Sequence, residues 1–163
     1  MTDPPDLAWR FAEATDDDGI VEMCLALNAE DPGDAPVPRE NVRRTLDVLR
    51  EEPARGRSVV AELDGRVVGY AFLIAFWSNE PGGEVCVVDE LYIVPAFRRR
   101  GLATRLLESL RDRCELWPAT AVAIGLEVSP ANCAARRLFA RQGFAGARTA
   151  MHLKRRLRAR SET

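Results

Sequence analysis

Along this chain the apolar side chains switch repeatedly between a strand-like and a helix-like spacing, and those switches delimit the elements. Trp9 to Ala14 reads as a short strand. Asp16, Asp17 and Asp18 then offer N-cap and first-turn carboxylates to a helix carrying Ile20, Val21, Cys24, Leu25 and Leu27, which ends near Ala29. The prolines and glycine of DPGDAPVP mark a loop, and Pro38 opens a second helix with Val42, Leu46 and Leu49 on one face, closed by Pro53 and Gly56. Ser58 to Leu63 and Arg66 to Trp77 are rich in valine, alanine and aromatics and are joined by Asp64-Gly65, a strong signal for an antiparallel hairpin. SNEPGGE, from Ser78 to Glu84, predicts a loop leading into a further strand, Val85 to Val94.

The helical period returns at Leu102, Ala103, Leu106, Leu107, Leu110, Cys114 and Trp117, and Pro118 stops it. Thr120 to Val128 reads as the next strand, with Val122, Ile124, Leu126 and Val128 on one side. Ser129 and Pro130 suit the N-cap and N1 positions of a helix running to about Arg141, with Ala134, Ala135, Leu138 and Phe139 on its buried stripe and Gly143 as its stop. A last strand or hairpin is expected over Phe144 to Leu157. This order predicts an α/β fold in which a mixed sheet is covered by helices.

Composition narrows the class. At 163 residues the chain suits one domain over 1–163, with a core of about 9–155 and a basic C-terminal tail, 156–163. With 47% hydrophobic and 29% charged residues and a formal net charge of -2, it reads as a soluble globular protein with no reason to expect a nucleic-acid partner. Cys24, Cys86, Cys114 and Cys133 are widely spaced, which predicts reduced core thiols. The single histidine, His152, reads as a surface residue, and no metal cluster or cysteine-histidine pair is expected. The acidic N-terminus lacks the pattern of a secretory signal, and no stretch approaches membrane-spanning length, so no membrane partner and a cytoplasmic location are expected.

The stretch carrying most chemistry is LYIVPAFRRRGLATRLLESL, Leu91 to Leu110. A strand breaks at Pro95, turns through Arg98, Arg99, Arg100 and Gly101, and becomes an amphipathic helix. The first N–H groups of a helix lack intrahelical acceptors and carry the positive end of its dipole, so an anion is stabilised there. Arginines just before that start add charge-assisted donors for a phosphate, and Gly101 and Ala103 leave room for it.

The spacing Arg98-x-x-Gly101-x-Ala103 after a strand ending Val94-Pro95 resembles the acyl-CoA signature of the GCN5-related N-acetyltransferase superfamily, R/Q-x-x-G-x-G/A. VSPANCAARRLFARQGF, from Val128 to Phe144, resembles that family's downstream motif, and the element order resembles it from about Trp9 to Arg155. The resemblance implies an acyl-CoA N-acyltransferase fold: a mixed, largely antiparallel central sheet with a splayed strand pair, flanked by helices. It implies acetyl-CoA as acetyl donor, its amide-rich arm running along the backbone of Leu91, Tyr92, Ile93 and Val94. Amides from Arg99 through Gly101, Leu102 and Ala103 to Thr104 would cradle its pyrophosphate.

The implied reaction is direct transfer, in a ternary complex, to a primary amine of a small-molecule or peptide acceptor. Such a reaction needs a base and an oxyanion donor. The Tyr92 N–H suits the second role. For the base, Asp89 and Glu90 are candidates on opposite strand faces, Glu90 alternating with Val88, Tyr92 and Val94; Glu90 is the preferred base. Asn132 matches the position whose side chain bonds the cofactor arm, with helix capping as its alternative role. Phe139 stands where relatives often carry a tyrosine that protonates the departing thiolate, so water, Tyr92 or Tyr70 would have to act instead. A CoA-binding module with little turnover is the alternative this substitution leaves open. Glu80, Glu84 and Asp89 or Glu90, with Phe72, Phe76, Trp77 and Tyr92, are candidates for an acidic, aromatic acceptor mouth, or else for a solvated turn and core. Relatives commonly pair through sheet edges, so a homodimer is a further expectation.

Overall fold

The computed structural model describes residues 7–33, 35–112, 115–118 and 120–146. Among these, five strands form one sheet in sequence order: β1 (Leu7–Phe11), β2 (Gly56–Leu63), β3 (Arg66–Ser78), β4 (Gly83–Ile93) and β5 (Ala121–Leu126). Neighbours are antiparallel except β4 and β5, which are parallel. The helices are α1 (Asp17–Glu30), α2 (Arg39–Glu51), α3 (Leu102–Arg111) and α4 (Cys133–Arg141).

Strand alternation divides the core into layers on the two faces. Val60, Tyr70, Phe72 and Tyr92 pack with Ile20, Val21 and Cys24 of α1 and with Val42, Leu46 and Leu49 of α2. The neighbouring positions Val59, Ala71 and Leu73, with Cys86 and Val88, pack with Leu106, Leu107 and Leu110 of α3. Arginines of α2 stitch it to the acidic face of α1 through the pairs Arg39–Glu22, Arg43–Asp18 and Arg50–Asp17.

The hairpin at Asp64-Gly65 forms as expected. Both residues have positive φ, 50° and 73°, the conformation whose twist matches the flanking strands.

Several boundaries differ from the sequence expectation. β1 ends at Phe11 rather than Ala14, because Ala14–Asp16 forms a 3-10 turn in which Asp16 accepts from the Glu13 N–H at 2.8 Å and from Arg10 at 2.7 Å. The SNEPGGE segment is a tighter connection than expected: pairing continues to Ser78↔Gly83, so both its ends are strand and 79–82 alone make the turn. α3 stops at Arg111, six residues before Trp117. Leu116 and Trp117 instead fill the α3-side core from the connection, and the Trp117 indole donates to Glu84 at 3.1 Å.

β5 is confined to Ala121–Leu126, and Val122, placed with Ile124 and Leu126 on one side of the strand, is 54% exposed beside Gly83. α4 begins at Cys133, not at Ser129-Pro130. Asn132 caps it, its Oδ1 accepting from the Ala135 N–H at 3.1 Å, while Ser129 Oγ accepts from the Ala131 N–H in the preceding turn. Gly143, at φ 85°, follows the helix end as expected. Cys24 and Cys86 are buried, whereas Cys133 is exposed in the first turn of α4. Residues 144–146 carry no regular structure; the rest of the expected final strand, Cys114, His152 and the basic tail lie outside the described residues.

Candidate active site

The sheet opens where β4 outruns β5. Their pairing ends at Val88↔Leu126, but β4 continues to Ile93 while its other edge stays paired with β3 through Tyr92↔Tyr70 and on to the Val94 N–H, which donates to the Val68 carbonyl at 2.9 Å. Among the described residues one edge of the 89–93 segment therefore has no strand beside it, the splayed pair that the family resemblance implied.

A second irregularity decides which side chain enters the site. Phe72 pairs with Glu90 and Leu73 with Val88, so Asp89 is an extra residue in β4, a β-bulge. The bulge breaks the alternation expected from sequence. Val88 packs on the α3 side, whereas Glu90 turns to the α1 side with Tyr92. Asp89 is exposed.

Glu90 is half-buried and its Oε2 accepts from the Tyr70 hydroxyl at 2.7 Å and from the Cys24 thiol at 3.5 Å. Burial pushes its carboxyl above the ordinary range; the two donors favour the anion and partly offset that, and the neighbouring Asp89 charge adds to the rise. Burial, with the Glu90 charge, raises the Tyr70 hydroxyl far above its usual value and pushes the Cys24 thiol up to about 11. Both therefore keep their protons at neutral pH.

The turn after β4 is shaped by its backbone. Pro95–Phe97 forms a 3-10 turn, Arg99 has φ 61°, and Gly101 has φ 82° immediately before α3. Open space surrounds the place a Gly101 Cβ would take, so glycine is needed there for its conformation, and an anion has room in front of it. The first helical bond runs from the Arg105 N–H to the Gly101 carbonyl at 2.9 Å, so the N–H groups of Leu102, Ala103 and Thr104 lie ahead of it. These features fit a pyrophosphate.

The three arginines do not share one role. Arg98 folds back: its Nε donates to the Ile93 carbonyl at 2.8 Å, its Nη2 to both Glu30 oxygens at 2.8 and 3.0 Å, and its guanidinium lies 5.2 Å from the Tyr92 ring. The Tyr92 hydroxyl donates to the same Glu30 at 3.1 Å. The Arg98 hydrogen bond holds the Glu30 carboxyl below the ordinary range. Arg99 and Arg100 are exposed, Arg100 lying 5.3 Å from the Phe97 ring. Neither Glu30 nor Cys24 is signalled by sequence as a site residue; Glu30 and Arg98 are 68 positions apart.

Other expected groups fall apart. Glu84 accepts from Trp117 and Thr120 on the α3 side, opposite Glu90 and about 20 Å along β4 at 3.3 Å per residue. Phe72 and Tyr92 are core residues, whereas Phe76 and Trp77 are 57% and 72% exposed at the hairpin end. The acidic, aromatic mouth is therefore not assembled. Asn132 is exposed and its Oδ1 serves the cap of α4, leaving its amide N–H donors for a ligand. Phe139 packs edge-on against Phe144, centroids 5.9 Å apart, beside the α3-side core. Surface concavities of about 380 Å³ on α2 and 240 Å³ beside Trp117 are lined by neither Glu90 nor Gly101. Among the described residues, no group of three His, Cys, Asp or Glu side chains is arranged to hold a metal ion, and no helix is long and apolar enough to cross a membrane.

The opened strand pair and the glycine-led helix start define an acyltransferase-type scaffold, and the family model described as acetyltransferase (GNAT) family matches residues 21–144: the chain belongs to that family. It is 38% identical over 85 residues to the L-2,4-diaminobutyric acid acetyltransferase of Nocardia farcinica, across 52% of this chain and 42% of the relative. It is also 38% identical over 89 residues to a mycothiol acetyltransferase of Amycolatopsis mediterranei, across 45% of this chain and 28% of the relative. The matches thus span less than half the length of these curated relatives. A possible acetyltransferase from Clostridium difficile has the same fold, at TM-score 0.77 and 18% identity over 93% of this chain and 99% of that one. So does an aminoglycoside N-acetyltransferase in complex with CoA, at TM-score 0.68 and 17% identity over 96% of this chain and 99% of that one.

Proposed function

We propose that this domain is an N-acetyltransferase that moves the acetyl group of acetyl-CoA to a primary amine of a small-molecule or peptide acceptor, directly and in a ternary complex. The observation that carries this reading is a single path along β4. Its free edge leads one way to the glycine-led start of α3, a fit for pyrophosphate, and the other way to Glu90, a half-buried carboxylate raised above its ordinary pKa.

In this reading the N–H groups of Arg99 to Thr104, with the side chains of Arg99 and Arg100, hold the pyrophosphate. Arg98 supports the loop through Glu30 and Ile93. The backbone of Leu91 to Val94 and the Asn132 amide bind the arm, and Phe139 contributes apolar packing beside it. The Val94 N–H bonds to the Val68 carbonyl, and alternation turns the Tyr92 N–H to β3 as well, so Tyr92 is not the oxyanion donor expected from sequence; the N–H groups that alternate towards the open edge are those of Leu91 and Ile93. Glu90 takes a proton from the acceptor ammonium; the amine then bonds to the acetyl carbon as the C–S bond breaks. The ammonium loses two protons, one through Glu90 and one from the tetrahedral adduct, both to solvent; solvent returns one to the CoA thiolate, so one proton is released in all. Both tyrosine hydroxyls already donate to carboxylates, Tyr70 to Glu90 and Tyr92 to Glu30, which supports solvent as the source of the thiol proton.

Phe139 favours the second reading, a CoA-binding module with little turnover, because it offers no acid to the thiolate. Thermal stabilisation by acetyl-CoA, followed by free-thiol release with L-2,4-diaminobutyrate, an aminoglycoside and a peptide amine, separates the two. Release with any amine above the blank supports the enzyme. Stabilisation without release supports the module, and no stabilisation near millimolar cofactor sinks both, since a ligand at 100 times its Kd adds about 2.7 kcal/mol.

A further inference from the structure

Both donors that reach Glu90 land on the same oxygen. The Tyr70 hydroxyl on β3 and the Cys24 thiol on α1 each donate to Oε2, and none of the hydrogen bonds among the described residues goes to Oε1. Tyr70 is 0% and Cys24 2% exposed, so neither donor has water as an alternative partner. They belong to two elements packed in one core cluster, which fixes the two donors relative to each other.

We infer that Tyr70 and Cys24 are positioning residues that hold the Glu90 carboxylate by Oε2 and present Oε1 to the acceptor ammonium. The inference rests on Glu90 being the base. The proton moves from the acceptor nitrogen to Oε1, breaking N–H and forming O–H, and then passes to solvent. Neither positioning residue transfers a proton itself, because burial and the Glu90 charge keep both protonated through the working range. Their effect is on the carboxylate: a donor to the charged form favours that form, opposing the burial that disfavours it.

Among the described residues the charged and titratable groups around Glu90 are few. Cys24 faces it from α1, Tyr70 from β3, and Asp89 precedes it in β4. Tyr92, Glu30 and Arg98 lie further along the same face and bond one another.

The test compares Tyr70→Phe, Cys24→Ala, Cys24→Ser and Glu90→Gln by two readouts: the pH profile of kcat/KM, and the titration of the Glu90 carboxyl followed by 13C NMR in glutamate-labelled protein. Tyr70→Phe removes one charge-assisted hydrogen bond, so it raises the Glu90 titration midpoint. It moves the acidic limb upward with it, lowering kcat/KM about tenfold at a pH below the parent limb. Cys24→Ala acts in the same direction but less, and Cys24→Ser, which keeps a donor, restores the parent profile. The serine-alanine pair carries the test on its own if Tyr70→Phe does not fold. A Glu90 titration unmoved in Tyr70→Phe and Cys24→Ala overturns the inference whatever the rates do. A titration that moves while the rate profile stays fixed, with Glu90→Gln as active as the parent, overturns instead the assignment of Glu90 as base.

Discussion

Replacing Arg98 by alanine separates two roles that the acyl-CoA signature does not distinguish: a phosphate ligand and a strut for the loop. In the free protein the side chain makes three interactions. One is a charged donor to the Ile93 carbonyl at 2.8 Å, one a forked pair with Glu30, and one a contact 5.2 Å from the Tyr92 ring. The Ile93 bond is worth about 1.5 kcal/mol, the low end for a charged donor. Arg98 and Glu30 are 41% and 44% exposed, which limits their pair to about 0.5 kcal/mol, and the ring contact adds about 0.5 kcal/mol. Allowing for overlap among interactions of one side chain, Arg98→Ala should cost about 2 kcal/mol, a fall in Tm of about 4–8 °C for a chain of this size. Glu30→Gln should cost a fraction of that, and the double variant should show less than the sum. Scanning calorimetry without ligand measures this directly. CoA titrations at two salt concentrations supply the contrast: Arg100→Ala should flatten the salt dependence of Kd, whereas Arg98→Ala should leave it close to the parent slope. An unchanged Tm in Arg98→Ala, with a tenfold loss of CoA affinity and a flattened salt slope, would refute the strut and make Arg98 a phosphate ligand.

Two further outcomes are expected. Glu90 has a folded-state pKa above its unfolded value, so between the two the native state binds more protons and stability falls as pH rises. Glu90→Gln should therefore melt higher than the parent at pH 8, with the difference closing as pH is lowered towards 4.5; a variant that melts lower at pH 8 contradicts the burial argument. Gly101→Ala meets no steric obstacle, but it forces a residue with a side chain to φ 82°, at a cost of about 1 kcal/mol, and should lower both Tm and CoA affinity; a Tm equal to the parent's would show that the turn relaxes without loss.

The legible parts of this fold are those decided by neighbouring residues. Asp64-Gly65 declares its own turn, and Gly101 marks the start of α3 because a left-handed residue is needed there. Trp117 keeps the helical spacing while reaching the same core from a connection, so period alone carries α3 past its end at Arg111. Ser129-Pro130 reads as the start of α4 because Ser129, itself a good cap, stands three positions before Asn132; only Asn132 reaches the N3 amide of the helix. The orientation of Glu90 was beyond local reading. It depends on an extra residue in β4 relative to β3, a property of the pair and not of either strand. The supporting residues Cys24 and Glu30 come from α1, far away in sequence, and carry no motif.

The division of labour in the proposed reaction follows from comparing two proton transfers. An alkyl amine with a pKa of about 10.4, the value for lysine, is neutral in roughly one molecule in 2,500 at pH 7, so deprotonating the nucleophile is worth more than a thousandfold. Protonating the departing thiolate is worth less: a thiol titrates near pH 8.5, and a positioned acid adds on the order of 100-fold. Loss of the acid is thus the smaller of the two losses, and the residues at hand are disposed accordingly. Phe139 is packed against Phe144, and the chain's two tyrosines are each bound to a carboxylate, so neither is free to act as acid. Glu90, the base in the proposed reaction, is by contrast turned inward by the Asp89 bulge, raised by burial and held at one oxygen from two elements. Installing the acid by Phe139→Tyr should accordingly raise kcat by at most about 100-fold and leave the acidic limb where Glu90 sets it; a limb that moves with this substitution would show that the two proton transfers are coupled.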